Sequence, residues 1–439
     1  MRYLLDFVYL SALILLSPWL IYRSFTTRKY RRGMWHKLTG RIDLPVAPTA
    51  RAAGPRLWFH AVSVGEVHLL RPLVARLRNF HPEWQVVIST TTDTGYDEAK
   101  KRFAGVPVIF WPLDFSWAVR RSLREVRPDL VVLAEGEMWP NFLLAARQVD
   151  VPVAVINGRM SPRSLGRYRK LARLVRPLLT RIDLFAMQNE AYAANMRLLG
   201  APAERVLVTG NIKYDGVEHN RRNARTEELR RLLRIESGDL VWICGSTQAP
   251  EEELALGIFQ RALGGQPRLR LFIVPRQKER FDDVAALLKR SGLPFVRRSE
   301  LKGPVENPAA IVLVDTIGEL GALWGLADVA YVGGSMDGKR GGQNMIEPAA
   351  YGAAVLFGPH TWNFRADVER LLKSHAAIQV DDARQLEEHL AHLFADAGLR
   401  ERLGQNARWL VEEQQGATER TVRLLEELLA AKGKVARAA

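Results

Sequence analysis

The sequence predicts an α/β fold of two doubly wound, parallel-sheet domains. Short apolar runs alternate with stretches of helical periodicity along residues 57–209, and a second such series occupies 241–357. The runs are almost wholly apolar instead of alternating with polar residues, as in strands covered on both faces. Between the two series the text turns polar and basic (GVEHNRRNAR, within 214–226), which marks a link between domains. The length of 439 residues agrees, since roughly 150 residues per domain gives two or three units.

Composition narrows the class. A hydrophobic fraction of 47% excludes disorder, and the single cysteine, Cys244, excludes a disulfide framework and a cysteine-based zinc site. The formal charge of +15 implies an anionic partner: nucleic acid, a phospholipid surface or a phosphorylated substrate. No nucleic-acid-binding module or stacking platform is recognisable, so no specific nucleic acid is expected.

Residues 3–22 (YLLDFVYLSALILLSPWLIY) carry one charge, Asp6, over about the ~20 residues that a bilayer crossing needs, with Tyr and Trp near both ends. Arg23, Arg28, Lys29, Arg31, Arg32 and Lys37 follow, a cluster that the positive-inside bias places in the cytoplasm. Residues 1–25 are therefore expected to be an N-terminal single-pass membrane anchor. Asp6 interrupts the span and leaves open a helix lying in the interface instead.

After a Pro/Ala-rich linker at 44–55, the first domain (44–215) is expected to hold strands at 57–61, 85–90, 106–111, 130–134, 151–156, 184–187 and 206–209. Ligands of such sheets bind outside the carboxyl ends of the strands, so the residues just after each run are the candidates. After the first comes SVGE, with Ser63, Gly65 and Glu66 in a glycine turn that opens a helix kinked or restarted by Pro72. Glu66 is a candidate general base; its plainer alternative is a helix-start carboxylate complementing the dipole. After 130–134 comes EGEMWPN, where Glu135 and Glu137 flank a glycine and Trp139-Pro140 close the turn. Such a pair can orient a substrate hydroxyl, raise the Glu66 pKa by like charge, or bind a metal. No Asp-x-Asp and no histidine cluster accompanies it, so no metal is expected.

Eight basic residues and no acidic one lie at 159–181: Arg159, Arg163, Arg167, Arg169, Lys170, Arg173, Arg176 and Arg181. Interleaved Leu165, Tyr168, Leu171, Leu174, Val175 and Leu178 predict an amphipathic helix suited to a membrane surface.

Beyond the linker at 216–226, the second domain (227–432) is expected to hold strands at 241–244, 271–274, 310–314, 329–332 and 354–357. Their ends gather Gly245, Ser246, Thr247, Pro275, Arg276, Asp315, Thr316, Gly318, Glu319, Gly334, Asn344 and Glu347 along one rim, which suits a nucleotide. Arg276 has the planar fork of a phosphate clamp, and 316–320 can open an anion-binding helix. The stretch 333–348 (GGSMDGKRGGQNMIEP) holds five glycines before a helix start, a pattern that lets backbone N–H groups approach a phosphate. Asn344 and Glu347, three apart, are placed to share one face of the first turn, where the carboxylate can accept ribose hydroxyls.

These blocks together resemble the 3-deoxy-D-manno-octulosonic acid (Kdo) transferases of lipid A assembly. The matching stretches are HAVSVGE (60–66), TTTDTG (90–95), WPLDFSW (111–117), RPDLVVLAEGEMWPN (127–141), NGRMSPRSLGRY (157–168) and VTGNIKYD (208–215). They continue as GSTQAPEEE (245–253), VPR (274–276), DTIGELG (315–321) and GGSMDGKRGGQNMIEPAAYG (333–352), so the resemblance spans nearly the whole chain. It implies two Rossmann-like domains facing a central cleft in the GT-B glycosyltransferase architecture, CMP-Kdo as donor, and a phosphorylated lipid A precursor as acceptor at the inner membrane. By that resemblance Glu66 falls at the catalytic base and Glu135/Glu137 in the essential acidic motif. Ser63, Gly65, Arg159, Ser161, Arg163, Ser164 and Lys213 fall on the acceptor side, and the rim residues of the second domain on the donor side. No cofactor is implied, CMP-Kdo being a substrate. The same architecture with a UDP- or GDP-sugar donor is the alternative. One departure stands out: Gln248 occupies a place that the family usually gives to His.

Overall fold

The computed structural model describes residues 2–27, 32–42 and 54–438. Most of the linker expected at 44–55, and Arg28, Lys29 and Arg31 of the basic cluster, lie outside the described residues. The chain divides into two units, one running up to Gly216 and resuming at Gln414, the other Val217–Glu413.

The first unit is built on β1 (Arg56–Ala61), β2 (Gln85–Thr90), β3 (Val108–Phe110), β4 (Leu130–Ala134), β5 (Val153–Gly158), β6 (Leu184–Met187) and β7 (Val206–Val208). They form one parallel sheet in the order β3-β2-β1-β4-β5-β6-β7. Successive residues of a strand point to opposite faces, and both faces are covered: Leu130 and Val132 of β4 enter one apolar cluster, Val131 and Leu133 the other. That double burial is why the strands read as unbroken apolar runs. Strand order reverses between β1 and β4, which makes the space beyond their carboxyl ends the topological switch point.

The second unit repeats the plan with β8 (Leu240–Thr247), β9 (Leu269–Pro275), β10 (Phe295–Arg297), β11 (Ile311–Leu313), β12 (Val329–Val332), β13 (Ala354–Phe357) and β14 (Ala377–Gln379). The order is β10-β11-β9-β8-β12-β13-β14, again parallel, with the switch point between β8 and β12. The sequence reading missed β10 and β14. Both are outer strands of three residues with half-exposed positions, so neither carries the apolar run of a strand buried on two faces.

Five expectations need correction. The second domain, expected to reach 432, stops at Glu413, because the helix Ala417–Ala438 returns to the first unit. Its Ala417, Val422 and Leu425 are buried against the helix Val64–Phe80, and Asp215 accepts the Gly416 N–H (2.6 Å) and the Thr418 N–H at its start. The stretch expected to be a linker at 216–226 is also held: the Arg221 guanidinium donates to the Tyr351 and Ala327 carbonyls at 2.6 and 2.7 Å. Pro72 does not restart its helix, which runs over Val64–Phe80 with the proline inside it.

The largest correction concerns the amino terminus. The helix Arg2–Thr27 is present, but no helix among the described residues is long and apolar enough to cross a membrane, so the expected single-pass anchor does not stand. The helix lies against helices Ser116–Val126 and Pro140–Gln148 of the first unit. Asp6 is buried there, while Phe7, Val8, Leu10, Ile14, Leu15 and Leu16 are exposed. The basic segment likewise forms two helices, Pro162–Arg169 and Ala172–Leu179, and not one. Leu165, Val175 and Leu178 face the core, and Leu171 and Leu174 are left outside among the arginines.

Candidate active site

Each sheet places a cluster at its own switch point. In the first unit, Glu66 sits in the first turn of the helix Val64–Phe80, directly after β1. Ser63 is the N-cap, but its hydroxyl donates to Glu66 Oε1 (3.1 Å) instead of accepting from the helix, and the Val62 N–H donates to Glu66 Oε2 (2.8 Å). Glu66 thus lies in the first helical turn, where the plainer reading put it, and holds the two residues just before the helix. Burial nonetheless pushes its pKa up to about 7, with the negative charges of Glu135 and Glu137 adding to the effect. Among the described residues no cation pairs with it. Gly65 is exposed beside it, in a turn where a side chain would meet little but the Ser63 hydroxyl, 3.9 Å away.

Glu135 and Gly136 follow β4 with φ of 57° and 101°, a left-handed pair that turns the chain sharply at the sheet edge. The Glu135 N–H donates to the Ile156 carbonyl (2.9 Å), and its carboxylate pairs with Lys213 at 3.1 Å. Glu137, at the exposed rim, has its pKa raised by partial desolvation. Lys213 reaches Glu135 because Asn157, at φ 51°, accepts the Ile212 N–H (3.0 Å) and Asn211 caps the turn that holds the lysine. β1 and β4 are paired neighbours, so the Glu66 turn and the Glu135/Glu137 turn emerge side by side. The two turns thus bring the three carboxylates to one edge of the sheet with different partners: Glu135 is paired with Lys213, and Glu66 pairs with no cation among the described residues.

The remaining acceptor-side candidates are less uniform. Ser161 caps the helix Pro162–Arg169, accepting the Ser164 N–H (3.2 Å) and bonding to its hydroxyl (3.0 Å), so both serines are engaged locally. Arg159 and Arg163 are exposed.

In the second unit Gly245, Ser246 and Thr247 are the last residues of β8, not a loop beyond it. A side chain at Gly245 would run into Trp324 at 2.4 Å, and Ser246 adopts a left-handed φ of 56°. Pro275 ends β9, and Arg276 projects beyond it, exposed, its charge felt by the carboxyl of Glu347. Asn344 and Glu347 meet as expected: the amide donates to Glu347 Oε1 at 3.0 Å, and burial raises the Glu347 pKa.

Three donor-side expectations change. The first N–H groups of the glycine loop are not open to a phosphate, since Gly334, Ser335 and Met336 donate to the buried carboxylate of Glu251 at 2.8, 3.1 and 3.2 Å. The Gln248 N–H and the Tyr331 hydroxyl donate to it as well, both at 2.9 Å. A Cβ on Gly333 would lie 2.6 Å from that carboxylate, which explains the glycine better than ligand approach does. The anion in this nest is the protein's own. Second, the helices after 316 and 345 are Leu320–Leu323 and Ile346–Ala350, four and five residues, too short to present a strong dipole end. Third, Glu319 does not face a ligand with a free carboxylate: Arg225 (2.6 Å), Arg298 (2.9 Å) and the Thr316 hydroxyl all engage it, beside Gly318 at φ 88°. Glu251, Arg225 and Arg298 escaped the sequence reading. For Glu251 the only local signal was its acidic helix start, and its main partners lie 80 to 85 positions away.

A family model described as 3-deoxy-D-manno-octulosonic-acid transferase (kdotransferase) matches residues 24–216. The chain is 35% identical over 375 residues to the 3-deoxy-D-manno-octulosonic acid transferase of Haemophilus influenzae, covering 85% of this chain and 87% of that one. The chain belongs to the Kdo transferase family. The same name is carried by a protein of Chlamydia pneumoniae, 31% identical over 422 residues and covering 96% and 94% of the two chains. Among solved structures, UDP-GlcNAc 2-epimerase from Neisseria meningitidis shares the fold at a TM-score of 0.58 and 15% identity, over 85% of this chain and all of that one. Within the family frame, Gln248 in place of His is a buried residue whose backbone serves Glu251, so the substitution sits in the scaffold of the glycine loop.

Proposed function

We propose that this Kdo transferase moves Kdo from CMP-Kdo to a hydroxyl of a phosphorylated lipid A precursor, in one inverting displacement with Glu66 as general base. The observation that carries the assignment is the group of three carboxylates at the first sheet's switch point: Lys213 neutralises Glu135, Glu137 lies at the exposed rim, and Glu66 is lifted by burial to about 7 with no cation paired to it among the described residues. A base with a pKa about 7 is matched to taking a hydroxyl proton near neutral pH. As the acceptor oxygen bonds to the anomeric carbon, its proton passes to Glu66, and the bond to the CMP phosphate breaks with its electrons on the phosphate oxygen. The transition state gathers positive charge on the sugar and negative charge on the phosphate, and in this reading Arg276, just after β9, meets the phosphate charge. Glu347 and Asn344 then take the ribose hydroxyls. The scheme uses no metal, and turnover unchanged in a chelator is the expected outcome.

The acceptor is a lipid, and the first unit presents matching surfaces. The exposed apolar side of the helix Arg2–Thr27, with Trp35 and Trp117 exposed nearby in the same unit, is suited to resting in the interface of the inner membrane. Leu171 and Leu174, exposed among arginines, would sit at anionic headgroups. Helices Arg2–Thr27 and Ala172–Leu179 both lie against Pro140–Gln148, which starts where the acidic turn ends, so the reacting carboxylates sit close to the face offered to the lipid. We place this face on the cytoplasmic leaflet, in the GT-B architecture. Mass spectrometry of a tetraacylated disaccharide bisphosphate after incubation with CMP-Kdo should show added Kdo. Turnover of UDP- or GDP-sugars with none of CMP-Kdo would contradict the assignment.

A further inference from the structure

Asp6 is the one charge in residues 3–22, and its burial in a helix otherwise open to solvent along one side calls for a cause. A carboxylate is costly to bury unless donors meet it, and here three do. The Ser116 N–H (2.8 Å), the Ser116 hydroxyl (2.5 Å) and the Asn141 side-chain amide (3.1 Å) all donate to Asp6. Beside it, Asp114 accepts the N–H groups of Asn141 and Phe142, each at 2.9 Å, and the Tyr9 hydroxyl at 3.2 Å. The Asn141 amide also donates to the Asp114 carbonyl at 2.6 Å.

Two helices start at this point, Ser116–Val126 and Pro140–Gln148, and the N-cap residues of both, Phe115 and Trp139, provide no side-chain cap. Their orphan N–H groups are satisfied from elsewhere: Asp6 serves the first and Asp114 the second. The helix Pro140–Gln148 is the far end of the acidic turn. At its near end the turn is fixed by β4 and by the Glu135 N–H on Ile156. Its far end hangs on Asn141 and Phe142, four and five residues beyond Glu137.

We infer that the amino-terminal helix is a positioning element of the acceptor centre: Asp6 and Tyr9 hold the Asp114–Asn141 pair, and that pair fixes the turn bearing Glu135 and Glu137. The inference rests on the Kdo-transfer reading and gives the helix a task besides meeting the membrane. Asp6 and Tyr9 are positioning residues, since neither touches the reacting atoms.

The test measures transfer from CMP-Kdo to the phosphorylated glycolipid in detergent micelles, where attachment to a bilayer contributes nothing. Asp6→Ala is expected to lower kcat about tenfold, with KM for CMP-Kdo within twofold of wild type. Asp6→Asn, which keeps an oxygen for the Ser116 N–H, should recover at least half of the lost rate. Tyr9→Phe keeps the packing and should cost about two- to fivefold in kcat; it decides the matter if Asp6→Ala fails to fold. Wild-type kcat in Asp6→Ala, or in Tyr9→Phe where that variant decides, with vesicle binding reduced, would overturn the inference and leave the helix a tether. A wild-type protein idle on CMP-Kdo would instead bring down the reading beneath it.

Discussion

The two switch points spend their carboxylates in opposite ways. In the first unit Glu66 accepts one backbone N–H and one hydroxyl, pairs with no cation among the described residues, and is lifted to about 7. In the second, Glu251 collects four N–H groups and a hydroxyl, Glu319 holds two guanidiniums, and Asp315 takes Arg297 and Ser299. A carboxylate saturated with donors builds a loop. One that is desolvated and short of donors is ready to accept a proton. The same sheet topology therefore carries a carboxylate short of donors at one edge and donor-saturated carboxylates at the other.

The contrast breaks first at Glu66. Glu66→Gln should lower kcat by about a thousandfold in a single-turnover assay while CMP affinity stays within twofold. Next comes the scaffold: Glu251→Ala strands the N–H groups of Gln248, Gly334, Ser335 and Met336. It should cost about 3–5 kcal/mol in urea unfolding of the second unit, whereas a comparably large rate loss with full stability would make Glu251 a reacting group. Arg276→Ala should raise KM for CMP-Kdo about tenfold with a smaller change in kcat, as for a charge that holds phosphate before and during reaction. The smallest effect sharpens the comparison. Glu135→Gln removes a like charge beside Glu66, so the acid limb of the rate profile should move to lower pH by a fraction of a unit.

Most of the fold was legible because both sheets are covered on both faces, so their inner strands carry unbroken apolar runs. β10 and β14 were not, being short outer strands with half-exposed side chains. At the first centre, Glu66, Glu135 and Glu137 could be found from strand ends alone, since the switch-point rule is local to each strand. At the second, the same rule reached the ends of that sheet's strands but assigned the glycine loop's amides to a ligand. The carboxylate that occupies them comes from the start of another helix, and a glycine pattern cannot show which anion fills its nest. The amino-terminal helix failed for the same reason. Hydropathy sees a run of apolar residues with one flaw at Asp6, whereas the partners that make Asp6 a fixture lie 110 and 135 positions further on.

The role of Glu66 is tested most directly by the pH dependence of kcat/KM for wild type and Glu66→Gln. A general base must be deprotonated, so wild-type activity should climb tenfold per pH unit below about 7 and level off above it. The same raised pKa means that the protonated carboxyl favours the folded state, a contribution lost as pH rises from 4.5 through about 7, so stability should decline across the window in which activity grows. In Glu66→Gln the acid limb should vanish from a much slower, flat profile. An unchanged limb near 7 in that variant would assign the proton transfer to another group and contradict the role given to Glu66.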